Sequence, residues 1–285
     1  MDPGLTSIEG SGAKRSKHRG YNPRNPPVPR VVQTLGSRLP NGWRDLFRQI
    51  VLFVVAYQGY QLVRGIADSH PSTALANGTH IIHLEQSLGA FFEPAFQQAF
   101  LNHQWIIDLA NWSYFNSHFV VTTAFLVWLY LYRNDHFNFV RNMFLVAMGL
   151  ALIGYVLYPT APPRMFPGDG FTDTIAAFTN TNQDASFTSL LVNPYAAVPS
   201  MHIAFSLMVA VAAMNLVRSA WARILWSIYP LSVFFVIVVT ANHFWFDAAA
   251  GAMVACLAAV TAHQLARLRP DAWSWREEAI DQAPA

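Results

Sequence analysis

Apolar residues along this chain are collected into long blocks separated by short polar breaks. Six blocks approach the roughly 20 residues that a helix needs to cross about 30 Å of hydrocarbon. They are 46–63, 112–132, 139–158, 199–216, 224–241 and 244–265. The pattern predicts an all-α polytopic membrane protein with six transmembrane helices. Between the first two blocks, Ile81, Leu84 and Leu88, then Phe92, Phe96 and Phe100, recur at helix-like intervals broken by Gly89 and Pro94. Short amphipathic helices lying in the interface, in an outer loop, explain that spacing. The second long connection, 159–198, runs from a Pro-rich turn into a mostly polar stretch over 179–189 and is expected to act as a lid or substrate rim.

Composition agrees with the pattern. The chain is 53% hydrophobic and 12% charged, against about a quarter charged in ordinary soluble proteins. A net charge of +2 conceals an asymmetry, because nine of the eighteen Lys and Arg residues precede Val51. With six spans, the N-terminal tail, the loop with Arg133 and Arg141, the loop with Arg218 and Arg223, and the C-terminal end share one side. That side carries sixteen of the eighteen basic residues. The other keeps Arg64 and Arg164 with eight acidic residues, Asp247 included. Basic loops stay cytoplasmic, so both termini are expected in the cytoplasm and the opposite loops outside or in a lumen, with the plasma membrane as the expected location. An odd number of spans breaks this alternation.

Residues 1–40, rich in Pro, Gly, Arg, Lys and Ser, read as a disordered basic tail lying against anionic headgroups. A nucleic-acid partner is not expected. Neither is a cleavable signal peptide, since the first apolar run begins near residue 50. Cys256, the single cysteine, reads as a small packing residue. Glu85 and Glu93 read as solvated faces of interfacial helices, with catalytic acids as the other reading, and Trp105, Trp112 and Trp245 as members of an aromatic belt. Asn77 and Asn111 each open a glycosylation pattern.

Under this topology four ionisable residues reach one outer face: Arg164 beyond the third span, His202 in the first turn of the fourth, His243 closing the fifth and Asp247 opening the sixth. Such groups are costly at the edge of hydrocarbon and mark sites. Tyr114 and His118, in the outer part of the second span, either line the same pocket or hydrogen-bond between helices. A carboxylate that accepts the Nδ1–H of His243 fixes the tautomer and makes Nε2 the nucleophile. His202 can protonate a leaving oxygen. Arg164 presents a fork of N–H donors that matches the oxygens of a phosphoryl group. Pro199 suits a first helical turn, and Ser200 beside it either caps that helix or donates to phosphate. The set suits phosphoryl transfer through a phosphohistidine. A structural polar network and a two-His, one-carboxylate metal site are the other readings of these residues. Arg164 repels a metal ion and suits an anion, so neither metal nor cofactor is expected.

The segments Tyr158-Pro-Thr-Ala-Pro-Pro-Arg164, Ala197-Val-Pro-Ser-Met-His202 and Asn242-His-Phe-Trp-Phe-Asp247 resemble the three signatures of the type 2 phosphatidic acid phosphatase superfamily. Its membrane branch has a six-helix core, and its relatives include vanadium haloperoxidases. The resemblance covers about residues 112–265. It implies that His243 is the nucleophile, Asp247 its partner and His202 the acid, with Arg164 and Ser200 in the phosphate pocket. The common phosphatases carry Lys, Arg and Gly where this chain has Leu157, Ile237 and Met201. These departures, with the stretch Glu85-Gln-Ser-Leu-Gly89, resemble the branch of inositol phosphorylceramide synthases and related bacterial proteins, whose members can transfer a phospho-headgroup to an alcohol. The implied activity is that of a metal-independent lipid phosphatase/phosphotransferase, with a lipid phosphate or phospholipid as substrate and water, a lipid alcohol or a sugar alcohol as acceptor. A simple lipid phosphate or polyprenyl diphosphate phosphatase is the alternative, and a transporter or scaffold retaining the fold is the non-enzyme one. On this reading the chain divides into a basic cytoplasmic tail (1–40), a first transmembrane helix plus outer interfacial helices (41–111), a phosphatase-like catalytic core (112–268) and a second cytoplasmic tail (269–285).

Overall fold

The computed structural model describes residues 39–66, 71–179 and 195–268. The two tails and the polar stretch expected to form a lid lie, for the most part, outside them. The described residues are helical throughout: α1 (Gly42–Ile66), α2 (Pro71–Ser87), α3 (Glu93–Leu101), α4 (Gln104–Tyr132), α5 (Asn134–Leu157), α6 (Thr174–Thr179), α7 (Met201–Leu216), α8 (Ala220–Val239) and α9 (Trp245–Leu268). Two 3-10 turns, Pro163–Met165 and Pro167–Asp169, follow α5.

Among the described residues, four helices, α4, α5, α8 and α9, are long and apolar enough to cross a membrane. Of the other two expected spans, α7 is apolar but has only 16 residues, and α1 has 25, the side chains of its last turn lying outside the described residues. The helices also begin elsewhere than expected. α4 starts eight residues before the predicted span, because Ile107 and Ala110 continue its buried face against Val239, with Phe96 and Phe100 alongside. α5 starts at Asn134 and draws Arg141 out of the expected loop.

Arg141 is fully buried. Its Nη1 donates to Gln49 Oε1 at 2.8 Å, Gln49 Nε2 donates to Asp45 Oδ1 at 3.0 Å, and the Tyr130 hydroxyl donates to Asp45 Oδ2 at 2.9 Å. A buried cation persists only where such partners surround it. The network therefore ties the start of α1 to α4 and α5. Two further expectations are corrected by packing. Cys256 is exposed, because α9 turns Gly251, Ala255 and Ala258 inward instead. Asn111 is buried and donates to the Thr174 carbonyl at 3.1 Å, so its glycosylation pattern is closed off inside the α4–α6 contact. Asn77 is likewise engaged, with the Pro159 carbonyl at 2.8 Å.

α9 lies against α5 and α7, α7 against α8, and α4 against α5, α7 and α8. Alanines at 147, 151, 204 and 258 are fully buried in the central cluster, which lets these backbones approach closely, as in helix pairs packed within a membrane. The tightest approach is at Gly251, where a Cβ would stand 2.2 Å from the Ser200 carbonyl oxygen. The start of α7 therefore rests directly on the second turn of α9. Gly251→Ala should push these backbones apart and lower stability by about 1–3 kcal/mol, the usual cost of overpacking. Thermal unfolding of the detergent-solubilised variant checks this.

Candidate active site

Main-chain hydrogen bonds bring three segments distant in sequence to one end of the helices. Thr160 N–H donates to the Tyr195 carbonyl at 2.8 Å, and Ala197 N–H to the Thr160 carbonyl at 3.3 Å. Arg164 N–H donates to the Ala241 carbonyl at 2.8 Å, and Ser200 N–H to the Asp247 carbonyl at 3.0 Å. The Pro-Pro-Arg turn, the start of α7 and the α8–α9 connection are thus joined without any side chain. α2 adds a fourth strut, as the Ala74 carbonyl accepts the Ala161 N–H at 3.0 Å.

The α8–α9 connection begins with a helix stop. Asn242 N–H donates to the Ile237 carbonyl at 3.0 Å and Ala241 N–H to the Val238 carbonyl at 2.9 Å, the bonding of a Schellman motif. The motif needs a left-handed residue, usually glycine; here Ala241 fills the position with φ 51°. Non-glycine residues pay about 1–2 kcal/mol for that conformation. The strain falls two residues before His243, in keeping with its habit of collecting at functional sites.

His243 Nδ1 lies 3.2 Å from Asp247 Oδ2. The same oxygen accepts the Phe244 N–H at 3.0 Å, and both side chains are buried. The pair is not formed on one helical face. His243 sits in the turn, and Asp247 reaches back to it from the first turn of α9. His202, in the first turn of α7, has its ring centre 5.6 Å from that of His243. Tyr114 stacks on His202 at 4.4 Å. His118 is 4.7 Å from His202 and stacks on Phe205 at 5.1 Å. Both α4 residues therefore belong to the same group.

Arg164 occupies the 3-10 turn after α5. Its Nη1 donates to Asn242 Oδ1, and its Nε, 4.0 Å from Asp173 Oδ2, makes no hydrogen bond. Ser200 is the N-cap of α7, but its hydroxyl caps nothing and is buried without a hydrogen bond. Pro199 precedes the helix instead of opening it, and the Val198–Pro199 peptide is cis. Two enclosed donors without a hydrogen bond, on either side of the His243 turn, suit the oxygens of an anion. Among the described residues, no three His, Cys, Asp or Glu side chains are grouped as ligands for a metal ion. From the histidines a cavity of about 250 Å³ runs inward between α1, α4 and α5, past Tyr57, Phe119 and Met148.

A model of the PAP2 superfamily matches residues 79–261, from within α2 to the last turns of α9. The chain belongs to the PAP2 superfamily. Nothing among the curated proteins or the solved structures matches it. Membership of the PAP2 superfamily supports a phosphatase-type enzyme, and the four long apolar helices support a membrane setting. The two positions noted above as departures from the common phosphatases, 157 and 237, are both apolar. Leu157 is 76% exposed and Ile237 fully buried.

Three residues at this candidate site have a place there that the sequence did not assign them. Asn242 is buried and stands between two partners, accepting from Arg164 and donating through Nδ2 to Thr240 Oγ1 at 2.7 Å. Glu85 and Glu93 were expected on solvated faces; both are fully buried. Glu93 Oε1 accepts the Trp245 N–H at 2.9 Å, and Glu85 Oε1 accepts the Phe246 N–H at 3.1 Å. The overlooked signal for Glu85 was its register with Ala74, Gly78, Ile81 and Ile82, the buried stripe of α2.

Asn242→Ala should release the Arg164 side chain. Losing a buried hydrogen bond to a charged group costs about 1.5–3 kcal/mol of stability, so the thermal transition should fall, and with Arg164 displaced kcat/KM on a lipid phosphate should fall about 10- to 100-fold. Steady-state kinetics beside an unfolding curve measure both.

Proposed function

We propose that this PAP2 protein is a polytopic membrane lipid phosphatase/phosphotransferase that works through a phosphohistidine. The observation that carries the reading is the His243–Asp247 contact at 3.2 Å with the His202 ring 5.6 Å away. When Asp247 accepts the Nδ1–H, the lone pair sits on Nε2 of His243. That lone pair attacks phosphorus; the N–P bond forms as the bond from phosphorus to the leaving oxygen breaks. His202 gives its proton to that oxygen. In the second half His202 takes a proton from water or an alcohol, whose oxygen attacks phosphorus and displaces His243. Arg164 and the Ser200 hydroxyl face the phosphoryl oxygens, where enclosed donors act more strongly than in water.

α1 and α7 join the four long apolar helices to make six spans, with both termini cytoplasmic and the site on the outer or lumenal face. α2 and α3 lie over that face as interfacial helices. Basic loops on the opposite side support this orientation. The transferase form, like that of inositol phosphorylceramide synthases, draws support from two features. Apolar residues at 157 and 237 leave a site with few cations, suited to a phosphodiester, which carries less charge than a monoester. The cavity reaches the histidines from between the helices, a route open to a lipid alcohol as well as to water. No metal takes part in this scheme.

Purified protein incubated with labelled phospholipids, with and without lipid and sugar alcohols, should yield a headgroup-transfer product when the acceptor is present. Release of free phosphate or headgroup regardless of acceptor contradicts transfer and leaves the hydrolase form. His243→Ala should lose on the order of 10⁴-fold or more in turnover, as expected for removal of a nucleophile. Full function in that variant contradicts an enzymatic role.

A further inference from the structure

The turn that carries His243 is held from outside the three signature segments. Three successive backbone N–H groups follow the histidine, and each meets a different carboxyl. Phe244 N–H donates to Asp247 at 3.0 Å, Trp245 N–H to Glu93 at 2.9 Å, and Phe246 N–H to Glu85 at 3.1 Å. Asp247 belongs to α9 itself, whereas Glu93 opens α3 and Glu85 lies near the end of α2. Glu93 also accepts the Phe92 N–H through its other oxygen at 3.0 Å. Glu85 Oε2 is buried without a hydrogen-bond partner, and Glu93 and Glu85 accept from the successive amides of Trp245 and Phe246. A buried acceptor-only oxygen beside a second carboxylate is unfavourable. A carboxylic acid O–H donating to Glu93 satisfies both groups.

We propose that Glu85 and Glu93 are positioning residues, a hydrogen-bonded carboxyl pair that fixes the main chain at 245–246, and through it the His243 ring, to the two outer helices. Neither touches the reacting atoms; their effect on catalysis rests on the phosphohistidine reading given above, while their effect on the turn does not.

The state of the proton follows from the surroundings. Burial, then the neighbouring Glu93, push the Glu85 carboxyl from 4.5 up to about 9, with Asp247 adding to the rise and the Phe246 N–H opposing it. Like charges this close do not both ionise readily. Among the described residues, the charged groups acting on Glu85 are Glu93 from α3 and Asp247 from α9. The closed turn keeps a proton that an opened, hydrated Glu85 loses above about 4.5. The clamp is therefore strongest at low pH and weakens as pH rises through that window to about 9, where two carboxylates oppose each other.

The test uses the full chain in lipid nanodiscs, with two readouts: hydrogen exchange at 244–246, corrected for intrinsic rates, and turnover of a phospholipid. Glu85→Ala and Glu93→Ala should lose amide protection at 245 and 246 and lower kcat about 10- to 100-fold with little change in KM, since a misplacement of about 1 Å at a reacting group costs on that order. Glu85→Gln should restore most of both, because its amide offers an N–H to Glu93 and a carbonyl to Phe246. It should also abolish the loss of protection and of kcat that the parent protein shows as pH approaches 9. Retained protection and kcat in Glu85→Ala overturn the proposal. So does a Glu85→Gln variant as impaired as Glu85→Ala, or one that keeps the alkaline loss. If the parent protein turns over no phospholipid, the functional reading fails, and exchange at 245 and 246 still decides the clamp.

Discussion

Everything at this site depends on the short turn between α8 and α9, which presents backbone N–H groups where little water competes for them. A buried amide without an acceptor is expensive. The turn escapes that penalty by directing Phe244, Trp245 and Phe246 N–H at Asp247, Glu93 and Glu85. One of those carboxylates also receives the imidazole of His243. The same geometry that satisfies the backbone therefore orients the candidate nucleophile, and the requirement explains why acidic residues are buried here at all.

The rest of the architecture serves to bring partners to that turn. Ala241, held at φ 51°, ends α8 and redirects the chain. Its carbonyl receives Arg164, and the Asp247 carbonyl receives Ser200. Gly251 allows α7 and α9 to touch at the level of Ser200, so His202 enters beside His243. At the other end of α5, Arg141 joins Gln49, and through it Asp45, in a buried network that secures α1. α1 in turn contributes Tyr57 to the cavity that opens toward the histidines. A polar lock at one end thus supports an apolar approach to the other.

Much of this was legible in the sequence because periodicity and depth are one-dimensional properties. Long apolar blocks mark the helices, and the expected topology groups Arg164, His202, His243 and Asp247 before any contact is known. Tyr114 and His118 were left between two roles by the same reasoning; ring contact with His202 is a matter of side-chain direction, which spacing does not encode. Arg141 was misread because a lone cation near a span end looks like a loop residue until its acceptors, 92 positions away in the case of Gln49, are known. Glu85 and Glu93 were misread for a related reason. A glutamate looks solvated by type, and its burial is explained only by amides more than 150 positions further on. What the sequence concealed, in each case, was a buried polar group whose partner is distant.

The central claim is that Nε2 of His243 carries the phosphoryl group between donor and acceptor. It is tested most directly by mixing the full-length protein with a labelled phospholipid, quenching within one turnover at alkaline pH, where phosphohistidine survives, and mapping the label by mass spectrometry. The account predicts a phosphoryl or headgroup-phosphoryl adduct on His243, absent from His243→Ala and accumulating in His202→Ala when the leaving group is a good one. Turnover with no adduct on His243, or an adduct on another residue, contradicts it.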